Sequence, residues 1–149
     1  MTDERAAERH AASEQTSGEH EALMHALHLL ERALASAARG REHAWRRRAL
    51  AELAAVAESI EKHCASAEAP GGLVAELEQA LGRSHELTAA LRDHDELRKH
   101  AGALLSETEG EAAHLRERAS ELAQALRRHL AREADLVYET FERDVGVGD

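Results

Sequence analysis

Apolar residues in this chain recur three and four positions apart over long runs, and very few residues interrupt them. Leu23, Leu27, Leu30 and Leu34 open the pattern, and Leu115, Ala119, Leu122 and Leu126 repeat it in the last third. That period is the signature of an amphipathic α-helix. The only proline is Pro70. The runs stop at Gly40, at Pro70-Gly71-Gly72, at Gly82 and at Gly110, all residues that end helices. The spacing therefore predicts long helices over 19–38, 42–68, 84–107 and 111–143, with Ser84 as an N-cap, and a short helix over 73–81. Long amphipathic helices joined by short breaks imply an all-α fold, an antiparallel up-down-up-down four-helix bundle. Residues 1–18, ending in Ser17-Gly18, read as a flexible tail, 19–143 as the bundle, and 144–149 as a frayed end.

The composition agrees. The chain has 149 residues, enough for one domain with a real core, and it is 43% hydrophobic but only 2% aromatic. Such a core is built of Leu, Ala and Val, which suits close-packed helices better than a β-sandwich. A net charge of −10 repels phosphate and argues against nucleic acid. The basic run Arg46-Arg47-Arg48 spreads around a helical turn and reads as solvated surface. A lone cysteine, Cys64, allows no intrachain disulfide and fits a reducing compartment. Residues 1–18 lack the apolar segment of a secretory signal, and no run approaches the roughly 18 apolar residues of a membrane span. The expectation is a cytoplasmic protein with no membrane or nucleic-acid partner.

Eleven histidines are unusual in a chain of this length, and their positions on the stripes matter more than their number. His129 follows Leu126 by three and Leu122 by seven, so it points inward, and Glu133 lies four further on, on the same face. A carboxylate facing a bundle core costs roughly several kcal/mol unless a cation meets it. A metal ion would satisfy both groups. His94 falls on its stripe between Leu91 and Leu97, and His20 falls above Leu23 and Leu27. His63 stands beside Ile60, with Glu68 five residues on, about 140° round the helix, where a long side chain near the helix end can reach back. In an antiparallel bundle His20, His63 and His129 share one level. His94 lies about 15 Å into its helix. It joins the others only if that helix starts before Ser84 or if the 73–82 segment extends the bundle past the site. His28 and His100 flank the stripes as secondary candidates.

Four runs then resemble the hemerythrin-like, HHE cation-binding family. His129-Leu-Ala-Arg-Glu133 followed by apolar residues is similar to its last-helix signature. His63-Cys-Ala-Ser-Ala-Glu68, with the break after it, resembles the second-helix motif. Leu91-Arg-Asp-His94-Asp-Glu-Leu97 resembles the third-helix segment, and Glu19-His20-Glu-Ala-Leu23 the first. The resemblance covers about residues 19 to 143 in the family's order. It implies a non-haem iron centre, two irons in the family's pattern, held by His20, His63, Glu68, His94, His129 and Glu133. It also implies O2, NO or redox sensing, oxygen binding or iron handling, with O2 or NO as the small-molecule partner and binding rather than catalysis as the role. The sequence departs from the family at Ala67, four after His63, where a bridging Glu is common, and in offering one stripe histidine in the third helix. Glu31, Asp95 and Glu96 are nearby acceptors for ligand histidines, and Cys64 reads as a packed core thiol. The competing readings are a metal-free helical interaction module and a di-iron oxidase or peroxidase.

Overall fold

Ala, Leu, Glu and Arg are strong helix formers, and they decide the secondary structure almost everywhere. The computed structural model describes the backbone of residues 2–107 and 110–147, and the side chains of residues 3–4, 18–107 and 110–140. The described residues form five helices and no strand: α1 (Thr2–Ala35), α2 (Glu42–Glu68), α3 (Leu73–Leu81), α4 (His85–Ser106) and α5 (Ala112–Val147). Ser84 caps α4, its side chain accepting a hydrogen bond from the Leu87 N–H.

The two ends differ from the expectation. Helix α1 is continuous through the residues read as a tail, and α5 runs on to Val147 through residues read as frayed. A single glycine such as Gly18 costs a helix about 1 kcal/mol, too little to stop a stretch otherwise rich in Ala, Glu and Arg. Asp3 and Glu4 in the first turn suit the positive end of the helix dipole. Residues 1, 148 and 149 lie outside the described set, as does the side chain of Phe141, which the sequence puts on the last stripe.

Helix α1 packs on α2 and α5, and α4 packs on the same two helices. Named contacts give the directions. Trp45, early in α2, donates its Nε1–H to the Ala33 carbonyl late in α1, 2.8 Å away. Arg116, early in α5, bonds the Leu34 carbonyl and lies 4.5 Å over the Trp45 ring, while Arg127 pairs with Glu31. Arg98 of α4 reaches Glu61 and Glu68 of α2, and Arg118 of α5 reaches Glu107, which ends α4. Each of these neighbouring pairs runs antiparallel.

Most buried positions follow an alternation of three and four. In α2 they are Ala49, Leu53, Val56, Ile60, His63 and Ala67, with Trp45 four before the series and Cys64 beside it. Leu50 and Ala57, each one residue on from Ala49 and Val56, are half-buried. In α4 they are Leu87, Ala90, His94, Leu97, Ala101 and Leu104. In α5 the series is Leu115, Ala119, Leu122, Leu126, His129, Glu133 and Leu136. The seam forms two apolar clusters. The large one runs from Leu23 and Trp45 to Leu126 and Leu130, and a small one joins Leu77, Leu87, Ala90 and Leu136. Helix α3 supplies Leu77 and packs on α2, α4 and α5. Among the described residues the buried polar ones are His63, His94, His129 and Glu133, and two of them mark the junction of the clusters: His94 between Ala90 and Leu97 in α4, and Glu133 between Leu130 and Leu136 in α5.

The α2–α3 connection is tight. Gly71 has φ +75, a left-handed conformation that suits glycine. At Gly72 a Cβ would fall on the carbonyl oxygens of Ser66, Ala67 and Ala69, all backbone atoms. Gly72→Ala is expected to destabilise the fold by about 1–3 kcal/mol, the usual cost of overpacking. The urea midpoint measures it, and an unchanged midpoint would show that the turn gives way freely.

Candidate metal centre

His63, His94, His129 and Glu133 are each buried, and one ligand atom from each lies within 4.8 Å of the others. The residues come from three helices. His63 continues the α2 series three after Ile60, His94 stands between Ala90 and Leu97 in α4, and His129 and Glu133 succeed Leu126 in α5. The same inward positions that carry leucine elsewhere carry imidazole and carboxylate here.

All three rings turn the same atom to the same oxygen. Nε2 lies 2.8 Å from Glu133 Oε2 in His63, 3.3 Å in His94 and 2.5 Å in His129. The rings meet edge to face, with centroids 4.8 to 5.8 Å apart. Burial works against the charge on Glu133, but hydrogen bonds from His129, His63 and His94 outweigh it and hold the carboxyl well below its ordinary range. Burial also opposes charge on His129. Its hydrogen bonds to Glu133 and Asp93 outweigh that and raise its pKa.

Behind His129 stands Asp93. Its Oδ2 lies 3.0 Å from His129 Nδ1 and 2.8 Å from Arg132 Nη1. A carboxylate on Nδ1 fixes a proton there, so Nε2, which here faces Glu133, is the nitrogen that can give up its proton and offer a lone pair to a metal. Asp93 was not among the acceptors the sequence suggested. Of those, Glu31 pairs with Arg127 at the surface, and Asp95 and Glu96 are exposed. The one available signal was its adjacency to His94, which says nothing about reaching a ring on another helix.

Two residues of the expected ligand set stand outside the cluster. His20 is exposed. The buried arc of α1 includes Ala26 and Ala33 beside Leu23, Leu27, Leu30 and Leu34. Its seven-residue continuation is Glu19, which is half-buried, and not His20. Glu68 ends α2 with its Oε1 3.7 Å from His94 Nδ1 and its Oε2 3.2 Å from Arg98 Nη1, on the far side of that ring from Glu133. The axial question over His94 is answered by α3. The chain does extend past the site, because Leu77 packs against Leu87, Ala90 and Leu136 beyond it. His28 is exposed, and His100 lines a groove between α4 and α5 with Asp93, Leu97 and Arg132. Cys64 is fully buried, and burial pushes its thiol up to about 12, as expected of a core thiol.

The donor set fits one ion. Three neutral imidazoles and one carboxylate suit a first-row divalent metal, and a cation would replace the protons now shared on Glu133. His94 Nδ1 is buried without a hydrogen-bond partner, which marks this as a site with an unmet polar demand.

The metal-free protein should show a stability window. Glu133 has a lowered pKa, so its contribution is full above its ordinary 4.5 and is lost as pH falls through the lower folded value. His129 has a raised pKa, so its contribution is full below its ordinary 6.5 and is lost as pH rises through the higher folded value. Chelator-treated protein is expected to melt highest between about pH 4.5 and 6.5. A melting temperature that climbs steadily through neutral pH would contradict this.

No helix among the described residues is long and apolar enough to cross a membrane. Compared with known proteins, the chain matches no family model, no curated protein and no solved structure.

Proposed function

We propose that the four long helices form an antiparallel bundle of the hemerythrin-like kind whose task is to hold one non-haem metal ion. His63, His94, His129 and Glu133 are the ligands. The observation that carries this is the convergence of three Nε2 atoms on one carboxylate oxygen in a layer sealed by leucine on both sides. Iron is the metal that the resemblance implies, and the donor set also accepts manganese or zinc. A bound iron would supply an open coordination position and a one-electron couple. The chain's own part is to fix the rings, exclude water and keep the His129 Nδ1 proton donated to Asp93. The role that follows is sensing or binding of O2, NO or a redox change, or iron handling, in preference to turnover.

The four-ligand group supports one ion, where the family's pattern has two. Elemental analysis of protein purified without a histidine tag is expected to give close to one metal per chain, and a value near two would require ligands beyond these four. An optical spectrum under air and under nitrogen tests the response to oxygen. One observation favours a second reading. Glu133 already has hydrogen bonds from its three histidines, so the layer also works without a metal, as a polar network that fixes helix register. Protein that stays metal-free when offered iron, manganese and zinc in turn would select that reading.

A further inference from the structure

We infer that Glu68 serves as the hydrogen-bond acceptor for His94 Nδ1 when the centre is loaded, a positioning residue matching Asp93 on His129. The inference rests on the metal reading above.

His94 is 1% exposed, and its Nδ1 has no hydrogen-bond partner. Buried polar atoms in that state are uncommon. The ring's other nitrogen, Nε2, faces Glu133. An imidazole that gives its Nε2 lone pair to a cation carries its proton on Nδ1, and that N–H needs an acceptor. Glu68 faces it with Oε1 at 3.7 Å, beyond a hydrogen bond but within reach of a small side-chain turn. Closing to about 2.8 Å makes a charge-assisted contact.

The surroundings favour that movement. Glu68 is the last residue of α2, followed by Ala69 in an extended conformation and then the Pro70-Gly71 turn. Its side chain is 34% exposed, so the cost of reorienting it is low. Its other oxygen lies 3.2 Å from Nη1 of Arg98, whose Nε lies 3.2 Å from Glu61. Arg98 stands four residues after His94 on the same face of α4. It holds the Glu68 carboxylate beside the ring. Two of the three histidines thus face an outer carboxylate, one contact made and one waiting.

Zinc titration of 15N-histidine-labelled full-length protein tests this, with Glu68→Ala, Glu68→Gln and His63→Ala compared to wild type. Zinc is expected to bring up a slowly exchanging downfield Nδ1–H signal from His94. Glu68→Ala should lose that signal and bind zinc about 10–100-fold more weakly. Glu68→Gln, whose amide oxygen still accepts, should fall between, and it carries the test if the alanine variant folds poorly. The visible spectrum with cobalt should be the same for Glu68→Gln and wild type. A Glu68 variant that binds zinc as wild type does, with the His94 signal in place, overturns the inference, while loss of zinc in His63→Ala leaves the centre standing. A changed cobalt spectrum makes Glu68 a ligand and also overturns it. Wild-type protein that takes no zinc removes the centre and the inference together.

Discussion

Cutting His129 back to alanine is expected to empty the centre. Among the described residues His129 is the one touched by both Glu133 and Asp93, so its ring links the inner carboxylate to the outer one. Its loss removes a donor and leaves Asp93 holding only Arg132. Losing an outer partner costs a metal site about 10–100-fold in affinity, and losing a ligand should cost more. The variant should therefore purify with almost no metal under conditions where wild type carries one ion per chain. The metal-free fold should survive, because Glu133 keeps its contacts to His63 and His94, at a cost of about 1–3 kcal/mol for the groups left unsatisfied. Metal content and a urea melt of chelated protein measure the two effects separately. Wild-type loading in the variant would take α5 out of the proposed site.

The second large effect is the metal's own contribution to stability. An ion that binds the folded chain at about 100 times its dissociation constant stabilises it by about 2.7 kcal/mol. For a domain of this size each kcal/mol shifts the melting temperature by about 2–4 °C. Loading should therefore raise melting by about 5–11 °C, and chelation should reverse it. The increment should grow as pH rises from 5 to about 7. Over that range the proton on His129, whose pKa is raised, competes with the ion less and less. His63→Ala should show no increment at any pH. A rise of equal size in that variant would mean that the ion acts elsewhere on this acidic surface.

The helix periods were legible because a helix's inner face is set by its own residues. The alternation of three and four named Leu122, Leu126, His129 and Glu133 as one face, and the structure buries all four. His63 and His94 were legible for the same reason. Two matters were not. His20 stands three before Leu23 and seven before Leu27, yet it is exposed, because the buried arc of α1 is centred towards Ala26 and Ala33 and leads to Glu19. A stripe of leucines alone does not reveal how wide an arc its neighbours cover. Asp93 was passed over because half-buried carboxylates flanking a stripe look the same as solvated ones until the facing helix is in place.

The sequence by itself determined that the chain is helical, where most of its helices break, and that His63, His94 and His129 lie on inner faces, since these depend on propensity and on a period local to each segment. Only the tertiary structure decided that three of those rings meet on one carboxylate oxygen. Axial level is set between helices, by loop lengths and by how seams interlock. Here α3 packs Leu77 on Leu87, Ala90 and Leu136 and so lengthens the structure beyond His94. That single piece of packing brings a histidine about 15 Å into its helix level with His63 near the end of α2 and His129 in the middle of α5.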